Sequence, residues 1–320
     1  MGGIDKIIQW CYALRKVNVK KKNFADLSKE VCMELERYRA LLCAIEKGSL
    51  SAAGEAMGYT PSGISRMMAA LEEEHGFALL VRRREGVVPT KSCEEMIPVI
   101  RELVFSADKL SQLSGRIRGA ETGTVTIGLA YHTWYSWLSR VAEAFRVQYP
   151  GIQIRYSSAY SLELAHQLER REVDFCIISK RGGDHGWIPL CQDPLMAMVP
   201  ASHPLAQAES VPLASFETEP FIEMFSGIET DNANVFARQG IRPNTQYTIS
   251  DVHAAYSMVE AGLGISMNNA LNSRLWSGSV KFLPLDPPQL VEIGIATDPA
   301  MSPAAQRFLE FARPYFGELG

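Results

Sequence analysis

The sequence predicts an α/β protein in two parts: an N-terminal helix-turn-helix ending in a β-hairpin wing, and a two-lobed α/β unit, with one helix between them. Three observations carry that prediction. Residues 36–71 hold three apolar stripes at helical spacing, punctuated by Gly48 and Gly58. Phe77, Leu79 and Val81 fall at alternate positions, and Val87 and Val88 return after Arg84-Glu85-Gly86. From residue 119 onward, β-branched runs alternate with amphipathic stretches, the pattern of layered helices on a sheet. A chain of 320 residues suits two domains and a connection.

The whole-chain properties bound the function. No run approaches the ~18–20 apolar residues that span a bilayer. The opening stretch MGGIDKIIQWCYALRKVNVKKK is broken by charge before a secretory core accumulates, so a cytoplasmic protein without a membrane partner is expected. Cys11, Cys32, Cys43, Cys93, Cys176 and Cys191 are scattered, with no Cys-x-x-Cys pair and no metal-ligand spacing. Free thiols follow, with no metal and no cofactor. The motifs of P-loops, serine hydrolases, zinc proteases and dinucleotide folds do not occur in the sequence, so no catalytic residue is assigned and an enzyme is not expected. A net charge of −4 excludes an overall basic coat but leaves room for a local basic surface.

Residues 1–32 read as an irregular basic extension without fixed structure, carrying Lys16, Lys20, Lys21 and Lys22. Met33 looks like a natural start, followed directly by a helix. The alternative is a basic arm that touches phosphates.

Residues 33–91 read as the helical unit with its wing. Tyr38, Leu41, Leu42 and Ile45 give the first helix, 36–47, one apolar face, and Gly48 ends it. Ser49 or Ser51 caps a short second helix whose inner face is Ala52, Ala53, Ala56 and Met57. Thr60 caps the third helix, with Pro61 at its first position. Ile64, Met68 and Leu71 form its buried stripe, which leaves Ser62, Ser65, Arg66 and Ala69 facing out. A small polar face with one long cation can lie in a ~12 Å major groove and meet base edges. The wing adds Arg82, Arg83 and Arg84 where a hairpin meets the phosphate backbone. Double-stranded DNA is therefore the expected partner of Thr60, Pro61, Ser62, Ser65, Arg66 and the three wing arginines.

The segment GSLSAAGEAMGYTPSGISRMMAALEEEHGFALLVRRREGVVPT resembles the N-terminal domain of LysR-type transcriptional regulators. Gly48-Ser49, Ala52-Ala53, Ala56, Ser65-Arg66, Leu71-Glu72, Gly76, Leu79 and Thr90 carry the likeness, which extends over residues 34–318. Gly54 and Gly63 depart from it, each replacing a better helix former at up to ~1 kcal/mol. Met67 and Cys93 depart as well. The resemblance implies a ligand-responsive regulator that sits as a homodimer or homotetramer on an inverted-repeat operator, with RNA polymerase as the further partner such a regulator would meet.

Residues 92–118 read as one linker helix that pairs with its twin. Residues 119–320 begin with strand 124–131, helix 135–149, strand 151–158, helix 161–171 and strand 173–179. That order predicts a parallel, doubly wound sheet whose ligand lies beyond the strands' carboxyl ends. Tyr131 to Trp134, Ser158 to Leu162 and Ser179-Lys180 occupy those ends. A second lobe adds strands at 220–225, 245–250 and 264–268 and helices near 231–239 and 251–262. Lobe 1 spans about 119–180 and 290–320, and lobe 2 about 181–289.

Two lobes around a cleft match the type 2 periplasmic-binding-protein fold, which the resemblance also implies. It places a small-molecule effector at His132, Thr133, Trp134, Tyr160, Ser161, Ser179, Ser250, Asp251 and His253. The aromatic and polar mix points to an aromatic or small organic acid. Thr133 and Ser161 read equally well as helix caps, and the two histidines as hydrogen-bonded surface groups. Two other functions use the same scaffold: a redox sensor built on Cys176 and Cys191, and a solute-binding protein of a transporter.

Overall fold

The structure, a computed structural model, describes residues 24–319 apart from 120, 274, 275 and 277, with the side chains of 24–34, 318 and 319 left out. The extension to residue 23, with its four lysines, lies outside the described residues. The chain divides into two compact units, residues 1–104 and 105–320.

The first unit holds α1 (Phe24–Lys47), α2 (Leu50–Met57), α3 (Pro61–His75) and the hairpin β1 (Leu80–Arg83) and β2 (Gly86–Pro89). Helix α1 begins at Phe24, twelve residues before the expected start at 36 and inside the stretch read as irregular. Residues 24–35 contain no glycine or proline and are rich in Ala, Leu, Lys, Glu and Met, so nothing in the sequence stops the helix there. The first unit's core joins Ala40 and Leu41 of α1, Ile64, Met68 and Leu71 of α3, and Leu79 before the wing, all but excluded from solvent. Cys93 and Ile100 of helix α4 (Lys91–Ile117) complete it. The caps are those the sequence predicts: Ala52 N donates to Ser49 Oγ at 3.3 Å and Gly63 N to Thr60 Oγ1 at 3.1 Å.

Gly54, read as a helix weakener, has a steric reason. A Cβ there would stand 2.7 Å from the Tyr59 carbonyl oxygen. The turn into α3 folds back over α2 at that point, and Tyr59 N donates to Gly54 O at 2.8 Å.

In the second unit β3 (Gly123–Leu129) runs parallel to β4 (Ile152–Ser158) and β5 (Phe175–Ser179). Helices α5 (Tyr135–Gln148) and α6 (Ser161–Glu169) make the crossovers, as the βαβαβ pattern predicts. Val125, Ile127 and Leu129 of β3, Phe145 of α5 and Phe175 of β5 meet in one core. Phe308 of the closing helix α11 (Pro303–Ala312) joins them.

The sheet is not parallel throughout. Strand β12 (Leu290–Thr297) inserts antiparallel between β5 and β6 (Gly186–Pro200), so the fully parallel expectation is corrected. The expected inter-lobe crossing near 180–200 is mostly this fifteen-residue strand. Pro189 and Pro194 hid it, because each removes an N–H from the ladder. The first part of β6, as far as Pro194, pairs with β12 in lobe 1. Residues 195–200 pair in lobe 2 with β10 (Ser266–Asn269) and β11 (Val280–Asp286). Lobe 2 adds β7 (Val211–Pro212), α7 (Ser215–Thr218), β8 (Phe221–Met224), α8 (Asp231–Gln239), β9 (Thr245–Ile249), α9 (Val252–Glu260) and α10 (Ala270–Ser273). Strands β8 and β9 pair parallel.

Candidate functional site

Two faces carry the candidate chemistry. On the first unit, Thr60, Pro61, Ser62 and Arg66 are exposed along the start of α3, and Ser65 is half-buried. Ile64, Met68 and Leu71 turn the opposite way, so the stripe leaves the polar face outward. Arg82, Arg83 and Arg84 are exposed: two on β1 and the third in the turn. Arg82 Nη2 donates to Ser65 Oγ at 2.9 Å, tying wing to helix. The wing is anchored twice more. Glu72 Oε1 accepts from Leu79 N at 2.8 Å and Leu80 N at 3.1 Å. Val87 N donates to Gly48 O at 2.8 Å. Glu72 enters the sequence analysis only through the resemblance, and its structural task leaves no signal in the spacing.

On the second unit the lobes border a cleft of about 100 Å³ that is open to solvent. Lobe 1 contributes Ala130, Tyr131, Tyr160 and Ser161, and Arg181 follows β5. Lobe 2 contributes Phe225, Glu229, the start of α8, and Asn268 and Asn269 at the end of β10. Tyr160 and Phe225 approach with ring centroids 6.1 Å apart, one from each lobe. Phe225 holds a left-handed backbone (φ 57), unusual for an aromatic residue and of a kind that clusters at ligand clamps.

An ion pair crosses the lobes: Arg181 Nη2 lies 2.8 Å from Asp231 Oδ1, with only 8% of the arginine side chain and 15% of the aspartate exposed. The Tyr131 hydroxyl donates to Asp231 Oδ2 at 3.4 Å. Burial, and then the charge of Asp231, pushes the Tyr131 phenol well above its usual range, so it stays a donor. Several polar groups here have no partner. Arg181 Nε, Asn268 Nδ2 and Asn269 Nδ2 are buried without a hydrogen bond. Buried polar groups are nearly always satisfied, so three unmet donors on one cavity call for an acceptor there.

The expected effector residues divide. Tyr160 and Ser161 line the cavity. Ser179 lies under it, its N–H donating to Ser161 Oγ at 3.1 Å. Ser161 therefore ties α6 to β5 and caps nothing; Tyr160 holds the cap position without a side-chain bond. Thr133 sits within the short 3₁₀ turn His132–Trp134 and does not cap it either. Trp134 belongs to the core. His132 and His253 come together at 6.5 Å between ring centroids, and His253 leans on Trp276 at 4.4 Å; neither borders the cavity. Ser250 is exposed, and Asp251 caps α9 through Ala254 N at 2.7 Å.

Arg181, Asp231, Asn268 and Asn269 were missed. The rule that ligands lie beyond the strands' carboxyl ends, applied to β10 as it was to the first lobe, would have found the asparagine pair.

Cys176 and Cys191 stand opposite Ala296 and Ile293 on the two sides of β12. Two strand spacings, roughly 10 Å, and a three-residue offset along β12 separate them, beyond the ~7 Å Cα distance that a disulfide spans. Among the described residues there is no group of three His, Cys, Asp or Glu side chains suited to a metal. No helix is long and apolar enough to cross a membrane among those residues.

Comparison with known proteins gives a consistent picture. The profile of the LysR substrate binding domain matches residues 118–317, and that of the bacterial regulatory helix-turn-helix proteins of the lysR family matches residues 35–94. The uncharacterized HTH-type transcriptional regulator YvbU of Bacillus subtilis is 25% identical over 293 residues, 89% of this chain and 99% of its own. A full-length OxyR variant from Pseudomonas aeruginosa superposes with a TM-score of 0.66 at 18% identity, covering 88% of this chain and 94% of that one. The BenM effector binding domain with its effector benzoate superposes at 0.52 and 23% identity, over 62% of this chain and 93% of that domain.

Proposed function

The chain belongs to the LysR family of DNA-binding transcription regulators with an effector-binding domain, and from that premise we propose how its faces divide the work. The α3 face (Thr60, Pro61, Ser62, Ser65 and Arg66) enters the major groove, and Arg82, Arg83 and Arg84 follow the phosphates. The observation that carries this reading is the joint exposure of these hydroxyls and arginines on one helix and the hairpin bonded to it. Phosphate contacts dominate affinity, so binding weakens steeply with salt.

The cavity between the lobes takes a small organic effector. Its unsatisfied donors support an acidic one, and the benzoate held by the BenM domain is of that class. Tyr160 and Ser161 line the site, with Ser179 behind them; His132, Thr133, Trp134, Ser250, Asp251 and His253 stand outside its lining. Helix α4 exposes Val99, Leu103, Leu110 and Ile117. An apolar groove beside it is lined by Tyr38, Phe77, Met96, Val99 and Leu103. This surface suits a twin helix, giving a cytoplasmic homodimer that pairs into a tetramer on an inverted repeat, within reach of RNA polymerase. The unit 33–91 reads DNA, 92–118 links and dimerises, and 119–320 senses.

The test starts from a duplex selected by the protein out of a random pool. Arg66→Ala and Arg83→Ala each weaken binding to it in fluorescence anisotropy while circular dichroism stays unchanged. Arg83→Ala also lowers the salt slope by about one unit. Unchanged affinity in both variants overturns the contact assignment.

A further inference from the structure

We propose that the Arg181–Asp231 pair is a displaceable latch: a small ligand carboxylate takes the place of Asp231 on the Arg181 guanidinium, and the Asn268 and Asn269 amides complete its hydrogen bonds. The proposal rests on the reading of the cavity as the effector site and names the ligand's chemical class and the switch it throws.

The first argument is a count of donors and acceptors. Asn268 and Asn269 are 5% and 7% exposed and border the cavity. Asn268 Oδ1 accepts from Asn269 N at 2.8 Å and from Asn272 Nδ2 at 3.0 Å. Two donors on that oxygen fix the amide's orientation and leave its Nδ2 as a donor in want of an acceptor. Asn269 Nδ2 and Arg181 Nε are in the same position. Tyr131 adds a phenol held in its protonated form. The unmet groups that border the cavity are therefore N–H donors. A carboxylate accepts only and offers about four lone-pair directions. An amine would set further donors against those of Arg181, Asn268 and Asn269, and would compete with Arg181 and Tyr131 for Asp231.

The second argument is the position of the pair. Arg181 and Asp231 border both this cavity and a second hollow of about 670 Å³, which Lys180 and Arg238 also line. The pair is thus shared by the two. Asp231 opens α8, where the helix N-terminus favours a carboxylate whichever way the side chain turns. Arg238 shares the hollow and makes no ion pair among the described residues. Displaced from Arg181, Asp231 thus keeps favourable surroundings, whereas the guanidinium exchanges one carboxylate for another. A buried ion pair holds little net stability, so exchange is energetically open, while leaving either partner alone is not.

The third argument is what the exchange does. Asp231 belongs to lobe 2 and is gripped by Arg181 and Tyr131, which lie on the lobe 1 side. Passing Arg181 to a ligand releases one of these ties and weakens the other. The lobes are then joined through the ligand, with a different spacing. Cavity size limits the ligand: about 100 Å³ is well below a drug-sized pocket of ~300–1,000 Å³.

Calorimetry on the full chain with propionate, malonate and propionamide tests the latch, alongside Asp231→Asn, Arg181→Gln and Arg181→Lys. Expected are acids bound about tenfold or more tighter than the amide, and a loss of similar size in Arg181→Gln, the worth of one charged hydrogen bond. Asp231→Asn binds the acids several-fold tighter than the wild type, because the internal competitor is gone. Arg181→Lys retains the fold and part of the affinity. Asp231→Asn weakening acid binding, the amide matching the acids, or no acid binding in wild type and Asp231→Asn alike overturns the latch. Anisotropy with the selected duplex separates the two readings. A neutral compound that binds and shifts DNA affinity keeps the cleft and sinks the latch. An acid that binds Asp231→Asn tighter without touching DNA affinity keeps the latch and sinks the cleft's regulatory role.

Discussion

Removing the Glu72 carboxylate should loosen the wing without unfolding the unit that carries it. One oxygen, Oε1, accepts from Leu79 N at 2.8 Å and Leu80 N at 3.1 Å, and Leu79 is fully buried. A hydrogen bond to a charged group is worth about 1.5–3 kcal/mol. The two here share an acceptor and do not add fully. Glu72→Ala therefore costs about 2–4 kcal/mol at the root of β1, against a domain stability of ~5–15 kcal/mol. The fold survives and the wing does not stay put. Glu72→Gln keeps an oxygen in place and loses less, and the exposed Glu73→Ala should fall within ~0.5 kcal/mol of the wild type. Native-state hydrogen exchange reads the loss directly, as faster exchange of the Leu79 and Leu80 amides. DNA anisotropy reads its consequence: the salt slope falls by up to ~0.9 for each wing arginine that leaves its phosphate. Wild-type protection at both amides together with an unchanged salt slope in Glu72→Ala would refute the anchoring role.

Other perturbations probe other joints. Gly86→Ala should cost more than Glu72→Ala, because φ is +138° and a Cβ would meet the Gly48 carbonyl oxygen, which is backbone; DNA affinity falls with the melting temperature, and an unchanged melt refutes the clash. Phe308→Ala should destabilise the second unit by about 3–5 kcal/mol, since Phe308 is 1% exposed and its ring meets Phe145 at 4.9 Å; chemical denaturation followed by Trp fluorescence checks it. Burial pushes the Cys176 thiol up to about 12. The folded state therefore favours the neutral thiol. The stability this contributes is complete below the unfolded value near 9 and is lost as pH rises from there through about 12. Labelling of Cys176 by a thiol reagent at pH 8 should be no faster than unfolding, and rapid stoichiometric labelling refutes its burial.

What was legible in the sequence tracks where a local signal exists. The helix-turn-helix was readable because each boundary has its own chemistry: Ser49 and Thr60 accept the bonds that a capping residue should. Helix α8 was readable for the same reason, with Thr230 at its start and Gly240 after its end. Strand β6 was not, because Pro189 and Pro194 argue locally against a strand, and only the pairing with β12, β10 and β11 overrides them. The start of α1 was not legible, because Met33 resembles a chain start while helix-forming residues run unbroken from Phe24. The cavity was half legible. Tyr160 and Ser161 follow from the end of β4, a local rule. Arg181 and Asp231 are fifty residues apart, and nothing in either neighbourhood announces that they meet.

The wing and the reading helix share a bond that ties affinity to sequence choice. In the free protein Arg82 and Ser65 are committed to each other, at 2.9 Å and largely in solvent, so the bond is worth little and breaks readily. On DNA the arginine has a better partner in a phosphate, and its departure frees the Ser65 hydroxyl to meet a base edge. Arg83 and Arg84 have no such tie among the described residues, so their contribution is the plain electrostatic one. The outward face of α3 is otherwise short: Ser62 and Ser65 are small, and Arg66 is its one long cation. Hydroxyls discriminate weakly among bases, and one arginine cannot specify a site of the length that a dimer covers. Most of the selectivity must then come from the spacing of two half-sites and from how readily the duplex bends between them. Those quantities are set where readers are held relative to one another. A regulator with a reading face this spare is suited to control through the effector domain: a change between lobes alters spacing, the variable on which selectivity already depends.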